Sequence, residues 1–279
     1  MSFAELEALR TEMRLGVNAF LRYSGVSKSS YYRRKRRGSQ PQNPPSDLEA
    51  AVKRLCDEHP RLGYRPIHAK LKKTQAAGAS TVYRTMKRLD LCQQRKRRGA
   101  SVQSAPAPLV LEQLGLTVGL DFTHWDRKPI CNVLEFESRY CLAAVVSERE
   151  TSEAARAALD QALQEAKRLG LPACGIEVKS DHGSTFTAAP FRAFLAEQTC
   201  QQTLSAVGRP QGMGRVERFN RSLKEQGLQP EELEPGGSLQ PLLDLYRDYY
   251  NRHRPHQALD YLTPLEFLHA QGYNSVPLI

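Results

Sequence analysis

The sequence of 279 residues lacks long apolar runs, paired cysteines and all but one tryptophan. A membrane-spanning helix needs about 20 consecutive apolar residues, so none is predicted. The opening stretch, MSFAELEALRTEMR, is charged and has no apolar core, which argues against a signal peptide. The six cysteines are scattered without a Cys-x-x-Cys pair, which disfavours a zinc centre or a disulfide framework. A cytoplasmic protein with reduced thiols is expected.

Positive charge is concentrated in the first third of the chain. Residues 1–100 contain 23 Lys and Arg against 8 Asp and Glu, a net charge of +15, whereas residues 101–279 contain 17 against 22, a net charge of −5. Basic clusters occur at residues 33–37 (RRKRR) and 95–98 (RKRR). This asymmetry predicts nucleic-acid binding by the N-terminal part. The plainer alternative is a solvated surface that only confers solubility.

A first DNA-binding segment is predicted over residues 1–38. Residues 17–36 predict two short helices around a turn at Ser24 and Gly25, with Ser27 capping the second helix. This is the helix-turn-helix pattern, although many helical hairpins have the same appearance. Its predicted DNA-contacting residues are Arg33, Arg34 and Lys35.

A second helix-turn-helix domain is predicted over residues 46–92. A capping box at residues 46–49 opens its first helix, residues 61–73 form the second, and Ser80 caps the third. The third helix combines an apolar stripe with a basic face, which fits a helix that lies in a DNA groove. An ordinary surface helix with solvated cations is the alternative. The basic residues predicted to contact DNA are Arg84, Lys87 and Arg88.

Residues 93–110 are basic at first and then rich in serine, alanine and proline, which predicts a flexible linker. Its basic part is predicted to follow DNA phosphates through Arg95, Lys96, Arg97 and Arg98. A catalytic core is predicted over residues 111–230, followed by a helical tail over residues 231–279 that packs on the core.

The core region alternates between strand and helix patterns. Residues 116–122 (LTVGLDF) predict a strand with one apolar face, with Asp121 on the other face near the end of the strand. Two more strands, a helix, a strand that reaches Asp181, a helix and a fifth strand follow. A glycine-rich loop at residues 208–214 precedes a helix that carries Glu217. This order predicts a layered α/β structure with a mixed sheet.

Asp121, Asp181 and Glu217 are the candidate catalytic residues and metal ligands. Three carboxylates without histidine or thiolate partners suit Mg²⁺ or Mn²⁺, which can clamp a phosphodiester displacement. Helical spacing also places Arg221 and Lys224 on the face that carries Glu217, and both are predicted to contact DNA. Spacing alone does not rank these acids above other sets among the 30 Asp and Glu. Asp181 could equally begin a loop.

Three ordered motifs resemble a known family. Asp121, then SDHGSTF at Asp181, then GRVERFNRSLKEQ with 35 residues between Asp181 and Glu217, resemble the DD(35)E pattern of bacterial insertion-sequence transposases and retroviral integrases. The segment RLGYRPIHAKL at residues 61–71 is similar to the helix-turn-helix of OrfB-type transposases. YYNRHRPHQALDYLTPLEF at residues 249–267 is similar to the family's C-terminal ending. The resemblance covers about residues 15–268.

The resemblance implies an α/β RNase-H-like integrase core, a mixed five-stranded sheet with helices, preceded by all-α helix-turn-helix DNA-binding domains. It implies a magnesium-dependent enzyme that cleaves double-stranded DNA at element ends and joins the 3′-hydroxyl to target DNA without a covalent protein intermediate. A homo-oligomer that bridges two ends is also implied. By position, Asp121, Asp181 and Glu217 match the catalytic triad, and Lys224 matches a basic residue near the cleaved end.

Two departures from the family pattern concern loops. Residues 212–215 (GMGR) replace the usual Asp-Asn or Asn-Gly pair before the glutamate, and Phe136 and Glu137 stand where an aspartate commonly precedes Ser138. Two further functions remain open: a catalytically idle DNA-binding relative that recognises or regulates element ends, and an RNase-H-like nuclease without strand transfer. For the enzyme, a cytoplasmic, nucleoid-associated location is expected.

Overall fold

The computed structural model describes most of the chain as helices and one sheet. The described residues are 3–13, 17–24, 26–38, 46–92, 115–172, 174–205, 212–228 and 238–273. The chain divides into two compact units, one formed by residues 1–60 and 71–92 and the other by residues 61–70 and 93–279. The predicted linker lies outside the described residues. No helix in the described ranges is long and apolar enough to cross a membrane.

The N-terminal helices are α1 (Phe3–Glu12), α2 (Val17–Ser24), α3 (Lys28–Gly38), α4 (Ser46–Glu58), α5 (Tyr64–Lys72) and α6 (Ala79–Arg88). The hydroxyl of Ser27 accepts a hydrogen bond from the Ser30 amide at 3.2 Å, so the predicted cap of α3 is confirmed. Tyr31 is buried on α3 and donates a hydrogen bond to Glu7 of α1. An apolar contact and a hydrogen bond therefore join α1 and α3.

Helices α4 and α6 pack through their apolar stripes. Leu48 and Val52 of α4 and Val82 and Met86 of α6 are all buried. The prediction that Ser80 caps α6 is wrong, because Gly78 holds the N-cap position with extended backbone and no side-chain cap is present. Ser80 instead lies within the first turn of the helix.

The C-terminal part is built on one five-stranded sheet in the order β3-β2-β1-β4-β5. The strands are β1 (Thr117–Trp125), β2 (Lys128–Glu135), β3 (Cys141–Val146), β4 (Glu177–Ser180) and β5 (Gln201–Leu204). Strand β2 runs antiparallel to β1 and β3, whereas β4 runs parallel to β1 and β5. The predicted mixed sheet of the RNase-H-like integrase fold is therefore confirmed.

Helices cover both faces of this sheet. They are α7 (Ser152–Arg168), α8 (Ser184–Thr187), α9 (Ala189–Glu197), α10 (Gly214–Ser222), α11 (Leu239–Arg252) and α12 (Pro264–Ala270). Residues of α7 and α9 join one buried cluster with Val118 and Leu120 of β1, while residues of α10 and α11 join a second with Ile130 and Leu134 of β2. Alternation along the strands explains the two clusters, because successive side chains point to opposite faces.

Gly119 allows α10 to lie against the sheet. A methyl group at this position would stand 2.6 Å from Val216 Cγ2 and 2.9 Å from Phe136 Cζ, closer than packed carbon atoms approach. The helix that carries Glu217 can therefore approach β1 only because residue 119 has no side chain. Gly119 and Asp121 share this face of β1, so the same approach brings α10 to the candidate site.

The predicted helix over residues 214–226 departs from α geometry after Ser222. Residues Leu223–Gly227 form a π-helical turn, in which the Leu228 amide donates to the Leu223 carbonyl at 2.9 Å. A side chain at Gly227 would collide with the Tyr246 ring at 2.5–2.8 Å, so the widened turn places a bare backbone against that ring. Such bulges are frequent at functional sites.

Candidate active site

Asp121 lies in the middle of β1, because the strand continues three residues beyond the predicted end at Phe122 and forms a hairpin with β2. The prediction that Asp121 stands near the end of its strand is therefore wrong. Pairing with β2 extends β1 beyond Phe122, since the buried residues of β2 continue opposite this part of β1. Its carboxylate accordingly emerges from the face of the sheet that α10 covers, beside the side chains of that helix.

Asp181 directly follows β4, as predicted, and its side chain is exposed. Its Oδ1 accepts a hydrogen bond from the Gly183 amide at 2.8 Å. A methyl group at Gly183 would lie 2.8 Å from that same oxygen, so a glycine is required for this tight turn. Strand β4 lies beside β1 and runs parallel to it, with Lys179 paired to Gly119. Asp181 therefore follows β4 at about the level of Asp121 on β1.

Glu217 is in the first turn of α10 and lines a cleft of about 400 Å³. The cleft residues are Asp121, Phe122, Thr123, Glu217, Asn220, Arg221, Lys224 and Glu225. Two of the three predicted carboxylates and two predicted DNA-contacting cations thus share one concave surface. The third carboxylate, Asp181, is not part of the cleft lining.

The charges of Asp181 and Glu217 act on the carboxyl group of Asp121. Burial, followed by the negative charges of Asp181 and Glu217, raises the pKa of Asp121 to about 7. Each nearby charge disfavours ionisation of a partly desolvated carboxyl group. A raised pKa produced by burial and specific charges in a cleft is typical of functional sites.

The oxygen donors of these residues fit a hard divalent cation, although the three side chains do not converge on one point. In the described part of the chain, no group of three His, Cys, Asp or Glu side chains is arranged to hold a metal ion. Ionised carboxylates repel, and Asp181 is engaged by the Gly183 amide. An oxygen-only set of three carboxylates nevertheless matches the ligand preference of Mg²⁺ and Mn²⁺.

Two asparagines beside the carboxylates were not predicted from the sequence to belong to the site. Asn220 of α10 donates from Nδ2 to Asp121 Oδ2 at 2.8 Å, and Asn132 of β2 donates from Nδ2 to Asn220 Oδ1 at 2.7 Å. Asn132 is 0% exposed and Asn220 is 7% exposed. The signal available was an amide within the apolar run ICNVL, since buried polar groups require partners.

The predicted DNA-contacting residues differ in their exposure and in their ion pairs. Arg84, Lys87 and Arg88 are exposed on α6, but Arg88 pairs with Glu49 of α4 at 2.6 Å. Arg221 and Lys224 are exposed at the cleft. Lys35 is exposed on α3, whereas the side chains of Arg33 and Arg34 and the whole of residues 95–98 lie outside the described part. Contact between these residues and DNA stays a prediction.

The family's common aspartate before Ser138 is absent here, and the structure shows another acid at this turn. Glu135, three residues before Ser138, is buried, and its carboxylate accepts hydrogen bonds from the amides of Glu137 at 2.8 Å and Ser138 at 2.6 Å. It therefore closes the turn between β2 and β3. At the C-terminal end, Thr263 and Glu266 form a capping box at the start of α12.

Three family models match the chain. An HTH-like domain matches residues 45–99, and two models described as an integrase core domain match residues 115–210 and 198–264. The two core models together begin just before β1 and end at the start of α12. They therefore include Asp121, Asp181 and Glu217.

Curated relatives are proteins of insertion elements. The chain is 26% identical over 275 residues to an uncharacterized 31.7 kDa protein of insertion element IS407 from Burkholderia multivorans, covering 94% of each chain. It is 25% identical over 244 residues to transposase InsD of IS2D from Escherichia coli, covering 83% of this chain and 81% of the relative. A transposase of IS904 from Lactococcus lactis is 30% identical over 105 residues, 37% of this chain and 40% of the relative.

Two solved structures resemble the fold more distantly. The catalytic core domain of BIV integrase gives a TM-score of 0.44 at 25% identity, covering 56% of this chain and 95% of that chain. A simian T-cell lymphotropic virus intasome gives 0.47 at 17% identity, covering 78% and 74%. The fold assignment rests on the strand order and the family models, not on these scores. The chain thus carries an HTH-like domain followed by an integrase core domain, and it is similar along most of its length to proteins of insertion elements.

Proposed function

We propose that this chain is a DDE transposase that binds element-end DNA, cleaves it by metal-dependent hydrolysis and joins the freed 3′-hydroxyl to target DNA. One observation carries the proposal. Asp121 and Glu217 line the same cleft as Arg221 and Lys224, and Asp181 is close enough for its charge to raise the pKa of Asp121. A cleft that combines acidic metal ligands with cations suits a phosphodiester substrate.

Each group has a definite task in this proposal. Asp121, Asp181 and Glu217 supply carboxylate oxygens for Mg²⁺ or Mn²⁺, which when bound would activate the attacking oxygen and stabilise the leaving oxygen. Asp121 releases the proton that its raised pKa retains near neutral pH. Arg221 and Lys224 hold the DNA phosphates in line for attack. In each step one phosphorus–oxygen bond forms and one breaks, and the leaving oxygen takes a proton.

The N-terminal unit supplies DNA recognition in this proposal. Arg84 and Lys87 are exposed on α6, the helix predicted to lie in a groove. Arg88 contributes less because it pairs with Glu49. Joining of two element ends requires two active sites, so a homo-oligomer assembled on DNA is part of the proposal.

The test uses the full chain with supercoiled plasmid and Mg²⁺ or Mn²⁺, beside the near-isosteric variants Glu217→Gln and Asp181→Asn. The wild type is expected to nick the plasmid, and both variants are expected to bind DNA without nicking it. Equal loss of binding and nicking in the variants would contradict the site assignment. Lys224→Ala should weaken DNA binding at the cleft while metal binding persists, and unchanged nicking and binding would remove Lys224 from the site.

A catalytically idle DNA-binding relative is the second candidate. It is favoured by the position of Asp181, whose carboxylate is held by the Gly183 amide and does not line the cleft. This candidate predicts DNA binding with no metal-dependent nicking by the wild type on plasmid or on cognate ends. Nicking by the wild type alone would exclude it.

A further inference from the structure

The buried amide of Asn132 has an unusual position in the sheet. It lies on β2 directly opposite Asp121, so both side chains project from the same face. Its neighbours on that face of β2, Ile130 and Leu134, are fully buried and apolar. A buried amide is unfavourable unless it is hydrogen-bonded, and an apolar side chain of similar volume would fill this position at least as well.

Asn132 contacts Asp121 through one intermediate. It donates to Asn220 Oδ1 at 2.7 Å, and Asn220 donates to Asp121 Oδ2 at 2.8 Å. A carboxylate that binds a cation is ionised and only accepts hydrogen bonds, so Asn220 must present its NH₂ group to Asp121 in the form that binds metal. Its carbonyl oxygen then has to face Asn132, and only a donor at position 132 stabilises that orientation.

We propose that Asn132 is a positioning residue of the active site, which holds the Asn220 amide in the one orientation that donates to Asp121. The inference rests on the proposed function, because its purpose is to fix a carboxylate that binds a divalent cation. Without the donor at position 132, the Asn220 amide can rotate and present its oxygen to the carboxylate. Asp121 then loses its fixed rotamer. Partners that orient metal ligands typically change metal affinity or activity by about 10- to 100-fold when they are removed.

A purely structural role for Asn132 makes a different prediction. Asn132 Oδ1 is buried and has no hydrogen-bond partner, so the amide already carries an unsatisfied acceptor that an apolar residue would eliminate. If Asn132 served stability alone, Asn132→Leu would change the unfolding midpoint and leave metal affinity intact. The positioning role instead predicts a large change in metal affinity, beside the loss of stability expected when the buried Asn220 oxygen is left without its donor.

The experiment measures Mn²⁺ binding to the full chain by calorimetry, together with plasmid nicking. Asn132→Asp, which replaces the donor by an acceptor of the same size, should weaken Mn²⁺ binding by about 10- to 100-fold. Asn132→Leu should weaken it in the same direction. The matched control is Asn251→Asp, a buried amide that bonds the Cys141 backbone of β3, and it should leave Mn²⁺ affinity unchanged.

A double-mutant cycle tests whether the effect passes through Asn220. In an Asn220→Leu background, Asn132→Leu should have no further effect on Mn²⁺ affinity, because the link to Asp121 is already broken. Additive effects, or unchanged affinity in Asn132→Asp and Asn132→Leu, would overturn the inference. If the wild type binds Mn²⁺ but does not nick, the proposed function fails while the affinities still decide the role of Asn132. No Mn²⁺ binding by the wild type would overturn both.

Discussion

Replacing Asp121 with asparagine should stabilise the metal-free protein at alkaline pH while abolishing nicking. The raised pKa means that the folded protein retains a proton on Asp121 that the unfolded chain releases. Stability from this group is therefore greatest below about pH 4 and falls as the pH rises to about 7, above which the loss is constant. Asparagine carries no charge at any of these pH values, and its carbonyl can still accept from Asn220.

The magnitude follows from the size of the pKa change. A rise from 3.8 to about 7, at about 1.36 kcal/mol per pKa unit, corresponds to at most about 4 kcal/mol. Asp121 is partly accessible to solvent, which screens the neighbouring charges, so a gain of about 2 kcal/mol at pH 8 is expected. At pH 4.5, which is close to the unfolded pKa of 3.8, Asp121 is neutral in the folded protein and most of the loss of stability has not yet developed, so the two proteins should differ much less than at pH 8.

The assay is urea unfolding followed by the fluorescence of Trp125, which lies on β1 and is the single tryptophan of the chain. Wild type and Asp121→Asn are compared at pH 8 and pH 4.5 in the presence of a chelator. Asp160→Asn, on the helix that packs against the other face of the sheet, is the control and should show no gain. A gain that is equal at both pH values, or no gain at pH 8, would refute the electrostatic reasoning.

Three further predictions follow from the packing and the charges. Gly119→Ala should lower the free energy of unfolding by about 1–3 kcal/mol, because the added methyl group overlaps Val216 of α10 and the Phe136 ring. A change under about 0.5 kcal/mol in urea unfolding would contradict this. Arg139→Asn should raise the free energy of unfolding by about 1 kcal/mol. Arg139 has a φ of 61°, which asparagine tolerates better, and its buried Nε has no hydrogen-bond partner. A loss of stability would show that the guanidinium has an unrecognised role. Replacing Arg84 and Lys87 with alanine should weaken DNA binding and flatten its salt dependence by up to about two phosphate contacts; an unchanged slope in a fluorescence-anisotropy titration would remove α6 from the interface.

Much of the secondary structure followed from local patterns. The helix that precedes the strand reaching Asp181 was predicted from its periodicity, and the structure places it at Ser152–Arg168 with a buried stripe of alanine and leucine. The strand that precedes Asp181 was equally clear, because its apolar residue alternates with polar ones and a His-Gly turn follows. The end of β1 was misplaced, since a hairpin pairing with β2 lengthens a strand beyond its own apolar pattern.

The basic N-terminal part, the order of strands and helices, and the 35-residue interval between Asp181 and Glu217 could all be read from the amino-acid sequence. These features depend on composition, periodicity and spacing, which are properties of one stretch of chain at a time. The raised pKa of Asp121 and its link to Asn132 through Asn220 depend on the folded arrangement, because Asn132 and Asn220 are 88 positions apart in the chain. Burial, charge proximity and hydrogen-bond direction arise when strands and a helix meet in space, and no local pattern records them.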